Sequence, residues 1–396
     1  MSIAKQSKFE KRCATKITVI VLAGVIFAVL TSYIAFGQKQ TLHESTIRMA
    51  AILFRHGEKN PTSFYPNDPH AKREWTGGLG ALTMKGSLQA LNLGQNLRLR
   101  YHALLSKDGM YSQENMFVRS SYAERCIMSA QAMLAGFMPP TEGASILPLP
   151  WQPVPVTSVP RLDDTLIAQK KPCLKYETML EEIYSKPPPD LEELNVENAE
   201  LYHILSEFTG KPIKSVLDVE FLYNTLKAEE DMGMELPEWT KGIYPERLLP
   251  LAERSYTVFT DNDYMKQIRG GAFVGEVYNN MASKVNKTLK PNRNLFFYSG
   301  HDVTLVNVMN SMGILNQTST LPDFTSALVF ELHEVLDSPE QYEVRVVYYQ
   351  DSTVENPSTV DILKCPAPCG LESFKNSVSH LLFDDYDKIC ENTKQC

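Results

Sequence analysis

The chain has 396 residues, 43% hydrophobic and 22% charged, so it can bury a large core or two joined lobes and does not read as a disordered polymer. A formal net charge of -8 excludes a broad electrostatic footprint for nucleic acid, which needs clustered lysines and arginines across one face. Any cationic site must be local.

At the N-terminus Lys5, Lys8, Lys11, Arg12 and Lys16 precede an almost uninterrupted apolar stretch from Ile17 to Phe36. Positive charge ahead of such a run keeps the N-terminus cytosolic and sends the rest across the membrane. Two readings follow for residues 1–37. Val19 to Leu30 makes a signal-peptide core, and Ala35-Phe36-Gly37 puts small residues where a signal peptidase wants them, giving cleavage before Gln38. The whole run also approaches the ~20 residues that span a bilayer, giving instead an uncleaved anchor and a single-pass type II protein, the one case in which the chain would have a membrane partner. In both cases residues 38–396 face an oxidising lumen or the exterior. Once Cys13 is set aside, the remaining cysteines are even in number, as a disulfide framework requires: Cys126, Cys173, Cys365, Cys369, Cys390 and Cys396. The segment Cys365-Pro-Ala-Pro-Cys369 can close a small loop; its rival reading, a zinc site, lacks a second close pair or a neighbouring histidine. Asn286-Lys-Thr and Asn316-Gln-Thr are candidate glycosylation sites, whereas Asn60-Pro-Thr is disqualified by its proline.

In chain order, Ala51 to Phe54, continuing Met49 and Ala50, predicts a short buried strand that opens at Arg55-His56-Gly57 into a loop. Thr83 caps a helix whose positions Met84, Leu88, Leu91, Leu97, Tyr101 and Leu104 recur at helical spacing and predict one buried face. Asn115 to Val118 reads as a strand. Ser121 with Glu124 then reads as a capping box, and Ile127, Ala130, Leu134 and Phe137 as the buried stripe of the next helix. Prolines crowd residues 139–160, which predicts a connection leaving one lobe for another, since such a stretch cannot continue a helix or sit inside a sheet. From about residue 175 to 255 the pattern is mostly helical, for example Thr178 to Ser185, Ala199 to Thr209 and Ser215 to Glu229. Leu295 to Tyr298 is another strand, Val303 to Met312 another helix, and Ser326 to His333 with Tyr342 to Tyr349 an antiparallel pair around an Asp-Ser-Pro-Glu turn. The expected class is α/β, a mixed, mostly parallel sheet flanked by helices with an inserted, mainly helical lobe. The expected division is a core of 46–140 and 256–350, an inserted lobe of 141–255 and a disulfide-tied segment of 351–396.

Cationic or ionisable residues follow three of these strands: Arg55-His56 with Lys59, then Arg119, then His301-Asp302. Ligands of an open α/β sheet bind outside the carboxyl ends of its strands, so distant segments can converge there. Helices follow two of the junctions, and their first amides carry partial positive charge. Singly, each residue is more often a surface arginine or a structural histidine, but their joint placement predicts an anion site. Arg125, on the helix, reads as structural, and the methionines from Met128 to Met138 as core packing.

Arg55-His56-Gly57-Glu58-Lys59-Asn60-Pro61 resembles the Arg-His-Gly-x-Arg-x-Pro signature of histidine acid phosphatases, and Ser299-Gly300-His301-Asp302 resembles that family's distal His-Asp motif. The segment VRSSYAERCIMSA between them is similar to the family's strand and helix that carry a further phosphate-binding arginine. YPNDP at 65–69, WQPVPVTSVPRLDD at 151–164 and MGMELPEWT at 232–240 resemble the insect venom branch. The resemblance covers roughly residues 46–390. It implies hydrolysis of small phosphate monoesters through a phosphohistidine on His56, with Asp302 as general acid, Arg55, Lys59, Arg119 and His301 holding the phosphate, and no metal or other cofactor. It further implies disulfides Cys173 to Cys390 and Cys365 to Cys369, with no counterpart for a third family bridge and Cys126 and Cys396 unassigned. Paired subunits are common in the family, so a homodimer is a further expectation. Lys59 stands where the family has its second arginine, keeping the charge but losing the planar fork. An anion-binding protein impaired in turnover is therefore the alternative function.

Overall fold

The computed structural model describes residues 46–391 apart from 142, 144–146, 148 and 336–339; the N-terminal signal or anchor, Cys13, Cys396 and most of the Asp-Ser-Pro-Glu turn lie outside the described residues. The elements that place the site begin with β1 (Ile47–Arg55), α1 (Met84–Tyr101), β2 (Met116–Ser120), α2 (Glu124–Phe137) and β3 (Thr157–Ser158). A helical stretch follows: α3 (Leu174–Ser185), α4 (Pro189–Glu197), α5 (Ala199–Thr209), α6 (Val216–Asp231), α7 (Leu249–Val258), α8 (Asp263–Lys266) and α9 (Ala272–Val285). The chain then returns to the sheet with β4 (Leu295–Gly300), α10 (Asp302–Ser311), β5 (Ala327–Glu334), β6 (Tyr342–Tyr349) and β7 (Ser358–Val360), and ends with α11 (Leu371–Val378) and α12 (Tyr386–Ile389).

Among the described residues the strands form one seven-stranded mixed sheet in the order β3-β2-β4-β1-β5-β6-β7. The pairs β3-β2, β2-β4 and β4-β1 are parallel, whereas β1-β5, β5-β6 and β6-β7 are antiparallel. β1 sits at the junction of the two halves and is apolar on both faces, as a strand covered by helices on each side must be. Its alternate residues separate the layers: Met49, Ala51 and Leu53 enter the core under α9 and α10, while Ala50, Ile52 and Phe54 enter the core under α1 and α2. A third core belongs to the helical stretch, built on Tyr176, Leu201, Leu205, Val216, Leu226 and Leu248. The described residues from 47 to 391 nevertheless make one compact unit. Cys390, disulfide-bonded to Cys173, carries the C-terminal segment into the helical core, and the Cys365–Cys369 disulfide closes its own small loop. Asn286 and Asn316 are both exposed.

Several local expectations are corrected. The buried face of α1 is Gly86, Ala90, Leu93, Gly94, Leu97 and Tyr101, while Met84 and Leu88 are exposed. The reason is backbone proximity: a Cβ on Gly94 would lie 1.9 Å from the Met133 carbonyl oxygen, and one on Gly136 2.1 Å from that of Leu91. Small residues let α1 and α2 approach where leucine would hold them apart. Met133 and Met138 are buried in this layer, but Met128 is 47% exposed. Ser121 and Glu124 make no capping box, because α2 begins after Ala123 and the Ser121 hydroxyl is engaged with His301 instead. Within the proline-rich connection, Thr157–Ser158 adds a two-residue strand to β2, possible because it lies at the sheet's edge, where few backbone donors are needed.

Candidate active site

The register of the parallel strands decides which residues meet. Arg55 lies opposite Gly300 across the β1-β4 pair, and Ser120 lies opposite Ser299 across β2-β4, so the chain leaves β1, β2 and β4 on the same side of the sheet. A cleft of about 620 Å³ opens there, lined at its base by Arg55, His56, Lys59, Arg125, His301 and Asp302 and on its far wall by residues of the helical lobe, including Glu220, Asn224 and Tyr256.

His56 is 1% exposed. Its backbone N–H donates to the Gly300 carbonyl (3.1 Å), and its own carbonyl accepts from Thr325 (3.2 Å), so the residue is pinned between β4 and the loop before β5. Its Nδ1 lies 2.8 Å from the Gly57 carbonyl oxygen. A carbonyl can only accept, so Nδ1 carries the proton and Nε2 keeps a free lone pair. Burial, with the positive fields of Arg125 and Arg55, lowers the imidazole's pKa well below its ordinary value and keeps the ring neutral. Gly57 is demanded by packing: a Cβ there would lie 2.1 Å from the Gly86 carbonyl oxygen, while its N–H donates to Ser129 Oγ (3.0 Å). The loop can thus lie flat against the first turn of α1.

Cations surround the ring. Arg55 reaches Asp302 Oδ2 through Nη2 (2.7 Å), donates from Nη1 to the Pro322 carbonyl (2.6 Å) and lies over the Phe324 ring (4.2 Å). Among the described residues Lys59 makes no ion pair with a carboxylate, and burial together with Arg125 and Arg55, opposed by Asp302, lowers its ammonium to about 8. Arg125 Nη2 lies 3.4 Å from His301 Nδ1, and His301 Nε2 lies 2.9 Å from Ser121 Oγ. Guanidinium only donates, so Nδ1 of His301 is the acceptor and Nε2–H donates to the serine. Burial and then Arg125 bring His301 down to about 4. Burial would raise the Asp302 carboxyl, but Arg55 and His301 outweigh it and hold it below the usual range. Asp302 is therefore the ionised partner of Arg55.

Arg119 does not face this cleft. Its side chain projects from within β2 to Asp164, with Nη2 2.9 Å from Oδ1. Asp164 also accepts backbone N–H bonds from Leu166, Ile167 and Ala168, so the pair shapes the loop that brings Ala168 and Gln169 to the cleft. The arginine that faces the ring is Arg125, which the sequence reading treated as structural. The error has a physical origin: Arg119 belongs to the pleat of β2 and its direction is set by strand alternation, whereas Arg125 lies in the first turn of α2, beyond the strand's end. Its position on a helix that starts at the sheet's carboxyl edge was the available signal. Ser121, Ser129 and Glu220 were also missed, and no local pattern marks them. Cys126 is buried and unpaired, its thiol raised to about 12 by burial, with Sγ 3.4 Å from the Gly300 carbonyl. The tryptophans do not line the cleft; Trp239 stacks on Phe208, Trp75 packs near Phe64 and Trp151 is 41% exposed.

Residues 46–349 match the model of the histidine phosphatase superfamily (branch 2). The chain belongs to this family. It is 30% identical to lysosomal acid phosphatase of Rattus norvegicus over 87% of this chain and 80% of the rat protein. It is also 30% identical to prostatic acid phosphatase of Bos taurus, over 87% of each chain, and 26% identical to venom acid phosphatase Acph-1 of Apis mellifera, over 88% of each. Among solved structures, the apo phytase of Hafnia alvei superposes with a TM-score of 0.65 at 18% identity, covering 88% of this chain and 98% of the phytase. That likeness speaks for the shared fold.

Proposed function

We propose that the protein is an acid phosphatase that hydrolyses small phosphate monoesters, with His56 as nucleophile and Asp302 as general acid. The observation that carries this reading is the His56 tautomer: a buried imidazole with Nδ1–H tied to Gly57, its Nε2 lone pair free and three unpaired or shared cations around it. Nε2 attacks phosphorus, and the bond to the departing alcohol or phenol breaks as Asp302 protonates its oxygen. Water, deprotonated by Asp302, then attacks the phosphohistidine, releasing inorganic phosphate and restoring the neutral ring. Arg55, Lys59 and Arg125 neutralise the charge of the equatorial oxygens in a site of low dielectric, and His301, a neutral ring, helps to hold them by redirecting its Nε2–H from Ser121 to the anion.

Asp302 must be protonated to act as an acid, yet its pairing with Arg55 favours the ionised form. A bound phosphate dianion competes for Arg55 and adds its own negative charge, and both effects raise the carboxyl. Acidic medium supplies the remaining drive. The family's acid phosphatases and the two disulfides support a place in the lysosomal lumen or outside the cell, with residues 1–37 acting as a cleaved signal or a retained anchor. Among the described residues no helix is long and apolar enough to cross a membrane.

The test is hydrolysis of a chromogenic aryl phosphate at about pH 5, where His56→Ala is expected to lower kcat by four or more orders of magnitude. Rapid quenching with radiolabelled substrate should trap label on an imidazole. Turnover without such label, or label that leaves only to a second organic acceptor and never as free phosphate, overturns the reading.

A further inference from the structure

Away from the cleft floor, the loop that follows the His56 signature is fastened to the helical lobe. Asn67 N–H donates to the Thr209 carbonyl (3.1 Å), Thr225 Oγ1 donates to that of Ser63 (3.2 Å), and Tyr65 packs edge-on against Trp239. At the centre of this seam Asp68 and Glu229 of α6 turn their carboxyls toward each other, 7% and 0% exposed. Asp68 Oδ1 accepts from the His70 N–H (2.8 Å), but Asp68 Oδ2 and both oxygens of Glu229 have no hydrogen-bond donor.

Among the described residues no lysine or arginine offsets this pair. The neighbouring Lys227 is committed to Asp231, and Lys85 to Glu58 and the Asp231 carbonyl. The other titratable groups facing the pair are Tyr65, whose hydroxyl is itself unpartnered, and His70, whose Nε2 meets the Glu235 carbonyl (3.0 Å). Two ionised carboxylates in contact, buried and with only Asp68 Oδ1 receiving a donor, would be strongly unfavourable; one proton between them joins two of the three orphaned oxygens and removes one charge.

We propose that Asp68 and Glu229 share one proton and form an acid-closed clamp that holds the post-signature loop on the helical lobe, positioning Thr62 and Ser63 at the rim of the cleft. Burial and the adjacent Asp68 raise the Glu229 carboxyl from 4.5 to about 8. A raised carboxyl contributes stability that is fully present below its unfolded value and is lost as pH rises through its folded value. The window is therefore about 4.5 to 8, and the clamp opens on the alkaline side. It stands independently of the phosphatase reading, because its first readout is stability.

The test is thermal unfolding of the full chain across that window, for the unsubstituted protein, Glu229→Gln and Tyr65→Phe. The unsubstituted protein should lose about 2–4 °C in Tm as pH rises through it, beyond the slope of Glu229→Gln, whose amide donates to Asp68 at every pH. The KM for an aryl phosphate should rise on the alkaline side in the unsubstituted protein and stay level in Glu229→Gln. Parallel Tm profiles overturn the proposal, as does a slope removed by Tyr65→Phe, which would make the phenol the donor. Should Glu229→Gln fail to fold, the infrared band of a protonated carboxyl at neutral pH in the unsubstituted protein decides instead; its absence sinks the clamp.

Discussion

The carboxyl edge of the sheet and the helical wall opposite it bury ionisable groups of opposite kind. At the sheet edge the buried groups are bases, and His56, Lys59 and His301 are all pushed down toward their neutral forms. On the wall the group is an acid: Glu220 is raised to about 7 by burial despite a hydrogen bond from Ser255 Oγ, and outside the cleft, in the seam with the post-signature loop, Glu229 is raised as well. Burial disfavours charge of either sign, so the same force makes one side a ready nucleophile with unspent positive field and the other a wall that loses its negative charge in acid. Acidification thus leaves the cleft increasingly free of competing anions without first protonating His56.

The contrast is broken most severely by removing the cations from the sheet edge. Arg125→Ala is expected to lower kcat/KM by about 10²–10³-fold, whereas Arg119→Ala should lower it less than about tenfold and act mainly on stability, by about 1–3 kcal/mol, because it strands Asp164. Steady-state kinetics and denaturant unfolding of both variants check this; equal kinetic losses would mean that Arg119 turns to the phosphate. A smaller effect sharpens the same side: Lys59→Arg restores a planar fork and should raise kcat/KM by about one to two decades, and an unchanged or lower value counts against the loss of bidentate grip. The smallest effect is on stability in acid. His301 is lowered to about 4, so its contribution is present above about 6.5 and is lost as pH falls toward 4, costing on the order of 2 kcal/mol. Vanadate, which pairs with the cations, should shrink that loss in melting curves; an identical loss with and without it would show that His301 does not face the bound anion.

The α/β core was legible because its signals are local. Strands β1, β4, β5 and β6 appear as apolar runs or alternations, and β6 was expected over the same residues, Tyr342 to Tyr349, that it occupies. Helices α5 and α6 were expected over Ala199 to Thr209 and Ser215 to Glu229 from their helical pattern, and they form there, α6 with a Ser215–Asp218 capping box. Where expectation failed, the deciding interaction joins residues far apart. The packing face of α1 is set by the backbone of α2 pressing on Gly94, and Ser121 leaves its cap because His301, 180 residues later, arrives beside it. The helical wall was the least readable part of the site, since neither Glu220 nor the seam's Glu229 carries a mark in sequence that separates it from the exposed Glu230 on the same helix.

The sequence by itself determined the compartment-facing chemistry, the strand that ends in Arg55-His56, the distal His301-Asp302 pair and the helical insertion, because each is written in neighbouring residues or in a fixed period. Only the tertiary structure decided that Arg125 rather than Arg119 faces the ring, that Asp302 rests ionised against Arg55, and that two acids of the seam meet with three of their four oxygens lacking a donor. Those outcomes depend on strand register, backbone clearance and burial, which arise when distant segments meet and cannot be read from the order of residues alone.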